Sequence, residues 1–167
     1  MSMIDGILLE FGQECAGTRK TLVRLPEAEL GWKPHEKSMT MGRLACHIAE
    51  TPGWVEPIIK QDEMNFKMSE YKPLDLQTPK EIVERFDENV ASAQKLLQGV
   101  SDAKLMLPWK FMTDDKDVFT LPRVAVLRMM ILNHTVHHRG QLTVYLRMKG
   151  VPLPALYGPS ADEEMPK

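Results

Sequence analysis

Residues Leu127 to Met148 read LRMMILNHTVHHRGQLTVYLRM, and this stretch decides the fold. Leu127, Ile131, His134, His138, Gln141, Tyr145 and Met148 recur at spacings of 4 and 3. That period marks one face of a helix packed nearly parallel to a neighbour. The spacing predicts a helix over about 121–149, beginning near Thr120 and ended by Gly150 and Pro152. Seams of this kind are apolar because a polar group buried without a partner costs about 1–3 kcal/mol. Two histidines on the seam are therefore its informative feature. Residues four apart stack on one face of a helix. Two imidazoles held in this way can share one metal ion, with Zn–N bonds of about 2.0–2.1 Å.

Working outward, three more helical stretches follow the same rule. The first covers about 3–24, with Ile4, Leu8, Phe11, Cys15, Thr18, Leu22 and Leu25 alternating by 4 and 3. The second covers about 40–59. Thr40 is placed to cap it, and Leu44, His47, Thr51, Trp54 and Ile58 form its stripe. Pro52 inside that pattern should kink the helix or end it early. The third covers about 79–98, where Thr78-Pro-Lys-Glu81 is a capping box with proline at the first helical position. Gln61 to Gln77 is polar and reads as a connection. Trp109 to Met112 and Asp117 to Thr120 flank the turn Asp114-Asp115-Lys116, a small hairpin or an ordered loop. The segment 151–167 holds four prolines and reads as an extended tail. The expected architecture is all-α: one four-helix-bundle domain over 1–167, with long connections.

His47 sits on the seam of the second helix. With His134 and His138 it makes three neutral imidazoles converging in a bundle core, leaving a fourth coordination position open, as in catalytic rather than structural zinc sites. The bland alternative for each histidine is a hydrogen-bonded packing residue. His137 lies off the seam, about 100° around the helix from His138, and is expected to flank the site or face solvent. His35 lies in a proline-containing loop and is expected to be exposed. Trp54 is placed to wall a pocket. Asn89 and Gln141, polar on apolar seams, need partners; each either orients a histidine or is a satisfied core amide. Cys15 and Cys46 read as buried structural thiols. Arg43 and Arg139 read as solvated, with anchoring of a substrate carboxylate as the alternative.

Composition closes off other classes. The 167 residues carry 21 Lys and Arg against 23 Asp and Glu, a net charge of −2, so nucleic-acid binding by bulk charge is excluded. Two cysteines do not make a secreted disulfide framework. No apolar run reaches the roughly 18 residues of a membrane span. The opening Met-Ser-Met-Ile-Asp5 has no basic region ahead of an apolar one, so no secretory leader is expected. A cytoplasmic location follows as an expectation. The 12 methionines read as flexible core filler. No phosphate loop, nucleophile elbow or CxxC is present.

At Asn133-His-Thr-Val-His-His-Arg-Gly-Gln-Leu142, Tyr145-Leu-Arg147, Gly150-Val-Pro152 and Tyr157-Gly-Pro-Ser160 the chain resembles the DinB/YfiT superfamily of metal-binding four-helix bundles. Leu30-Gly-Trp-Lys-Pro34 leading into Met41-Gly-Arg-Leu-Ala-Cys-His47 matches as well. The resemblance spans nearly the whole chain. It implies an up-down-down-up bundle, a metal histidine in the second helix and an HxxxH pair in the last. These fall on His47, His134 and His138, the residues that the seams select. It also implies zinc or nickel as the metal, frequent homodimers, and chemistry on small molecules with low-molecular-weight thiols such as bacillithiol or mycothiol. Two functions follow as expectations. One is a metal-dependent enzyme that activates a thiol, or water, at the three-histidine site; its substrate would be a small molecule, not a nucleic acid or a membrane. The other is a non-catalytic, metal-stabilised dimeric binding module.

Overall fold

The computed structural model describes residues 2–164; residue 1 and residues 165–167, the ends of the expected domain and tail, lie outside the described residues. The first helix, α1, spans Met3–Leu22. It begins in a capping box that the seam analysis did not anticipate: Ser2 Oγ accepts from the Asp5 N–H at 3.3 Å, and Asp5 Oδ2 accepts from the Ser2 N–H at 2.8 Å. Pro52 both ends and bends the second stretch. It divides into α2 (Met41–Glu50), a 3-10 turn (Thr51–Trp54) and α3 (Val55–Lys60). Proline has no N–H to give to an α-helical ladder, but it suits the first turn of a new one. Thr40 caps α2, its Oγ1 accepting from Arg43 N–H at 3.1 Å. The Thr78–Glu81 capping box opens α4 (Pro79–Gln98).

Expectation and structure part after α4. A short helix, α5 (Asp102–Met106), returns toward the start of α1, where Asp102 accepts from the N–H groups of Met3 and Ile4 at 2.9 Å each. Then β2 (Pro108–Thr113) and β3 (Lys116–Pro122) form an antiparallel hairpin. Asp114 and Asp115 turn it at φ 47° and 64°, the left-handed pair that a tight two-residue hairpin turn requires. The polar connection contributes a further strand, β1 (Glu63–Phe66), parallel to β2, so the sheet order is β1-β2-β3. The all-α expectation is thereby corrected: the chain is predominantly helical and carries a three-stranded sheet. The last stretch is also composite, comprising α6 (Arg123–Val126), a π-helical turn (Leu127–Asn133) and α7 (His134–Met148). Gly150, at φ 71°, closes α7, with Val151 N–H donating to Leu146 O and Gly150 N–H to Arg147 O, each at 3.0 Å.

α1 and α2 each pack on α4 and α7. Paired residues set the directions. Glu10 meets Arg128 and Glu14 meets Arg139, so α1 and the last stretch ascend together. Arg19 meets Asp87 while Met3 meets Asp102, so α1 and α4 oppose. His47 faces His138 while Trp54 faces His134, so the second stretch opposes the last. The four directions therefore run up, down, down, up.

The core between them includes Phe11, Leu22, Met41, Ile48, Phe86 and Leu97, all at most 2% exposed. Arg123 fastens the sheet to this core. Fully buried, it donates to Ile58 O at 2.9 Å, Pro108 O at 2.8 Å and Gln61 O at 2.7 Å, and pairs with Asp62 at 2.6 Å. No helix among the described residues is long and apolar enough to cross a membrane.

Candidate metal centre

α2 brings His47 to one side of the bundle core, and α7 brings His134 and His138 to the other. His47 Nε2 lies 3.3 Å from His134 Nε2, and His138 Nε2 lies 2.7 Å from the same atom. The ligand atoms of the three side chains all lie within 4.8 Å of one another.

Each imidazole presents its other nitrogen to an acceptor of a different kind. His47 Nδ1 faces Glu50 Oε2 at 3.3 Å, His134 Nδ1 faces the Met130 carbonyl at 3.3 Å, and His138 Nδ1 faces Gln141 Oε1 at 2.7 Å. An N–H at each Nδ1 satisfies these acceptors and leaves a lone pair on every Nε2. Three lone pairs then converge on one point. Two of them lie 2.7 Å apart, close enough to share one proton or to turn together toward one ion. Carboxylate, backbone carbonyl and amide are the partners that orient metal-bound histidines. The donor set thus fits a transition metal of the zinc–nickel–copper class, which imidazole suits.

Electrostatics agree with neutral rings. Burial, reinforced by the neighbouring His138 and His47, pushes His134 down to about 4. Burial also lowers His138, opposed by its bond to Gln141. At Glu50 burial favours the neutral acid, but donation from His47, Leu74 N–H and Arg43 outweighs it and holds the carboxyl below its usual range.

The π turn shapes this geometry. It ends where His134 begins, and Met130, which carries the carbonyl facing His134, lies within it. Single π turns inside α-helices recur at functional sites.

The remaining candidates sort by position. His137 is exposed, its ring 4.8 Å from that of His138 but outside the converging group. His35 is exposed. Gln141 faces His138, whereas Asn89 donates to Ala49 O at 2.8 Å, as a core amide clear of the histidines. Trp54 lies against His47 and His134, with ring centres 5.5 Å and 5.4 Å away. Cys15 and Cys46 are buried free thiols.

Arg139 corrects the solvated reading. It is 3% exposed, bonds Glu14 Oε2 at 2.7 Å and Tyr157 OH at 2.5 Å, and so ties the tail to α1. Arg43 is corrected too: half-buried, it reaches Tyr71 OH at 2.7 Å and Glu50 at 3.3 Å.

Several residues escaped the sequence reading. Glu50 was visible as a carboxylate three after His47, on the same helix face. The pocket beside the histidines was not. A cavity of about 320 Å³ opens against His47 and His134. Trp54 and Met130 line it from the helices, Met64 and Phe66 from β1, and Trp109 and Phe111 from β2. The sheet, formed by the hairpin the sequence offered and the strand β1 that it did not show, is one of its walls.

Comparison with known proteins places this architecture. The family model described as DinB family matches residues 2–166. The uncharacterized protein YrdA of Bacillus subtilis (strain 168) is 26% identical over 161 residues, covering 96% of this chain and 91% of that protein. A DinB-like protein from Bacillus cereus ATCC 10987 superposes with a TM-score of 0.73 at 25% identity, over 94% of this chain and 100% of that one. The DinB-like protein YjoA of Bacillus subtilis gives a TM-score of 0.69 at 18% identity, over 96% and 99% of the two chains. YfiT from Bacillus subtilis, described as a probable metal-dependent hydrolase with an unusual four-helix bundle topology, gives 0.62 at 14%, over 88% and 87%. The last two likenesses show the fold alone.

Proposed function

This chain belongs to the DinB family, and from that premise we propose that it is a metal-dependent enzyme holding zinc or nickel at His47, His134 and His138. In this reading it joins a low-molecular-weight thiol to a small electrophile. The observation that carries the proposal is the convergence of three Nε2 lone pairs, each ring anchored through Nδ1, on the mouth of an apolar pocket. Such a metal supplies Lewis acidity, lowering the pKa of a thiol or water that joins it.

The chain's own groups then do the rest. Glu50, Met130 and Gln141 hold the three rings in one tautomer. Trp54, Trp109 and Phe111 exclude water from the space beside them. Thiol is favoured over water because, among the described residues, no carboxylate lines the pocket to act as a general base; the titratable side chains described there are His47, His134 and Tyr71. Tyr71 is already engaged, accepting from Arg43 at 2.7 Å and donating to Glu50 at 3.2 Å. In the transfer the thiol S–H proton passes to solvent, a C–S bond forms on the electrophile, and the leaving group departs with the electrons of its bond.

Metal-loaded protein should consume a small thiol in the presence of chlorodinitrobenzene, and His134→Ala should abolish this. Hydrolysis of an aryl ester at the same rate with and without thiol would favour water as nucleophile. Metal-loaded protein inert toward both would leave the non-catalytic binding module.

A further inference from the structure

The pocket specifies more than an apolar substrate. Among the described residues its lining includes no lysine, arginine, aspartate or glutamate side chain. The nearby Arg43 lies outside the lining, its Nη2 on Glu50 and Tyr71 while its buried Nη1 has no partner, and Arg139 is committed to Glu14 on another face. A carboxylate or phosphate in the part of the pocket away from the histidines would lose water and meet no charged partner among the described lining residues. The walls are flat as well as uncharged. Trp109 and Phe111 line the pocket with ring centres 6.0 Å apart and planes within 15° of each other, and Phe119 backs Phe111 at 5.5 Å from outside the lining. Trp54 lines the same cavity from the helical side, beside the two histidines. Several aromatic side chains around one cavity favour an aromatic ring inside it, in offset or edge-on contact. A volume of 320 Å³ is about eleven times the ~30 Å³ share of a water molecule in the liquid, which is room for one or two fused rings.

We propose that this pocket binds the electrophile, and that the electrophile is an uncharged aryl compound of one or two fused rings whose single polar reacting group turns toward His47 and His134. The thiol, with its charged groups, approaches from outside the pocket. The word electrophile rests on the enzymatic reading above; the binding preference does not.

The test uses naphthylmethanol and naphthoate, equal in ring and opposite in charge, titrated into metal-free protein by tryptophan fluorescence. Without metal, no carboxylate affinity can come from the histidine site. Naphthylmethanol should bind at least about tenfold more tightly than naphthoate. Phe111→Ala should weaken it severalfold, and Met64→Trp, which fills the cavity, should abolish it, with both variants checked for fold by circular dichroism. Equal or tighter binding of naphthoate overturns the proposal, as does failure of naphthylmethanol to bind, or binding that neither substitution affects. Metal titration on the same samples separates the claims. Intact metal binding with lost selectivity overturns the substrate class alone, whereas intact selectivity without metal binding overturns the enzymatic reading alone.

Discussion

Glu50 Oε2 lies 3.3 Å from His47 Nδ1, and the same carboxylate gathers three other donors: Arg43 Nη2 at 3.3 Å, Tyr71 OH at 3.2 Å and Leu74 N–H at 2.5 Å. One side chain therefore orients a candidate ligand and fastens to it the segment between β1 and α4, which brings Tyr71 to the pocket lining. Glu50→Gln keeps the size and one acceptor oxygen but removes the charge. Metal affinity, read by competition with a chelator, should fall about 10–100-fold. An unchanged affinity would restrict Glu50 to holding that segment.

Arg123 is the fastening between bundle and sheet. Arg123→Ala would leave the carbonyls of Ile58, Pro108 and Gln61 without the donor they now share. Leaving buried acceptors without a donor costs about 1–3 kcal/mol, and the urea midpoint should drop accordingly. A loss below 1 kcal/mol, roughly the net worth of one ordinary hydrogen bond, would mean that the sheet is held by packing alone.

Cys15 sets an alkaline limit. Burial, with the charge of Glu14 adding to it, pushes its thiol up to about 12 from the ordinary 9.0. Between those values the unfolded chain has lost the proton and the folded chain keeps it. The Cys15 contribution is thus complete below pH 9.0 and declines as pH rises toward 12. Urea unfolding of wild type and Cys15→Ala across this range should show a steeper alkaline loss in the wild type. Parallel curves would contradict it, as would ready alkylation of Cys15 in the folded protein at pH 9.0.

The helices and the histidine set were legible because both obey one local rule. A period of 4 and 3 places Leu127, Ile131, His134 and His138 on one face whatever lies opposite, and Thr78 with Glu81 announces a helix start within four residues. The strand β1 was hidden because four residues hold too little alternation to stand out; only Met64 and Phe66 carry it. The π turn just before His134 has no local signature. Arg139 looked solvated because its partners, Glu14 and Tyr157, come from distant parts of the chain. The pocket was invisible for the same reason. Its lining comes from α2, the 3-10 turn, α3, two strands, the segment carrying Tyr71, the π turn and α7, and no pattern within one element reports on the others.

The most direct test of the metal centre is a zinc titration of four single variants against a competing chelator, beside the parent protein. His134 and His138 are about 40° apart around α7, whereas His137 is about 60° from His134 on the other side, and only the first two converge with His47. The parent should bind one equivalent. His47→Ala, His134→Ala and His138→Ala should each lose affinity by orders of magnitude, since each leaves two protein ligands. His137→Ala should stay within about tenfold of the parent, the lower bound for a contact outside the ligand set. Loss of metal in His137→Ala with retention in His138→Ala would contradict the account, and so would parental affinity in all four.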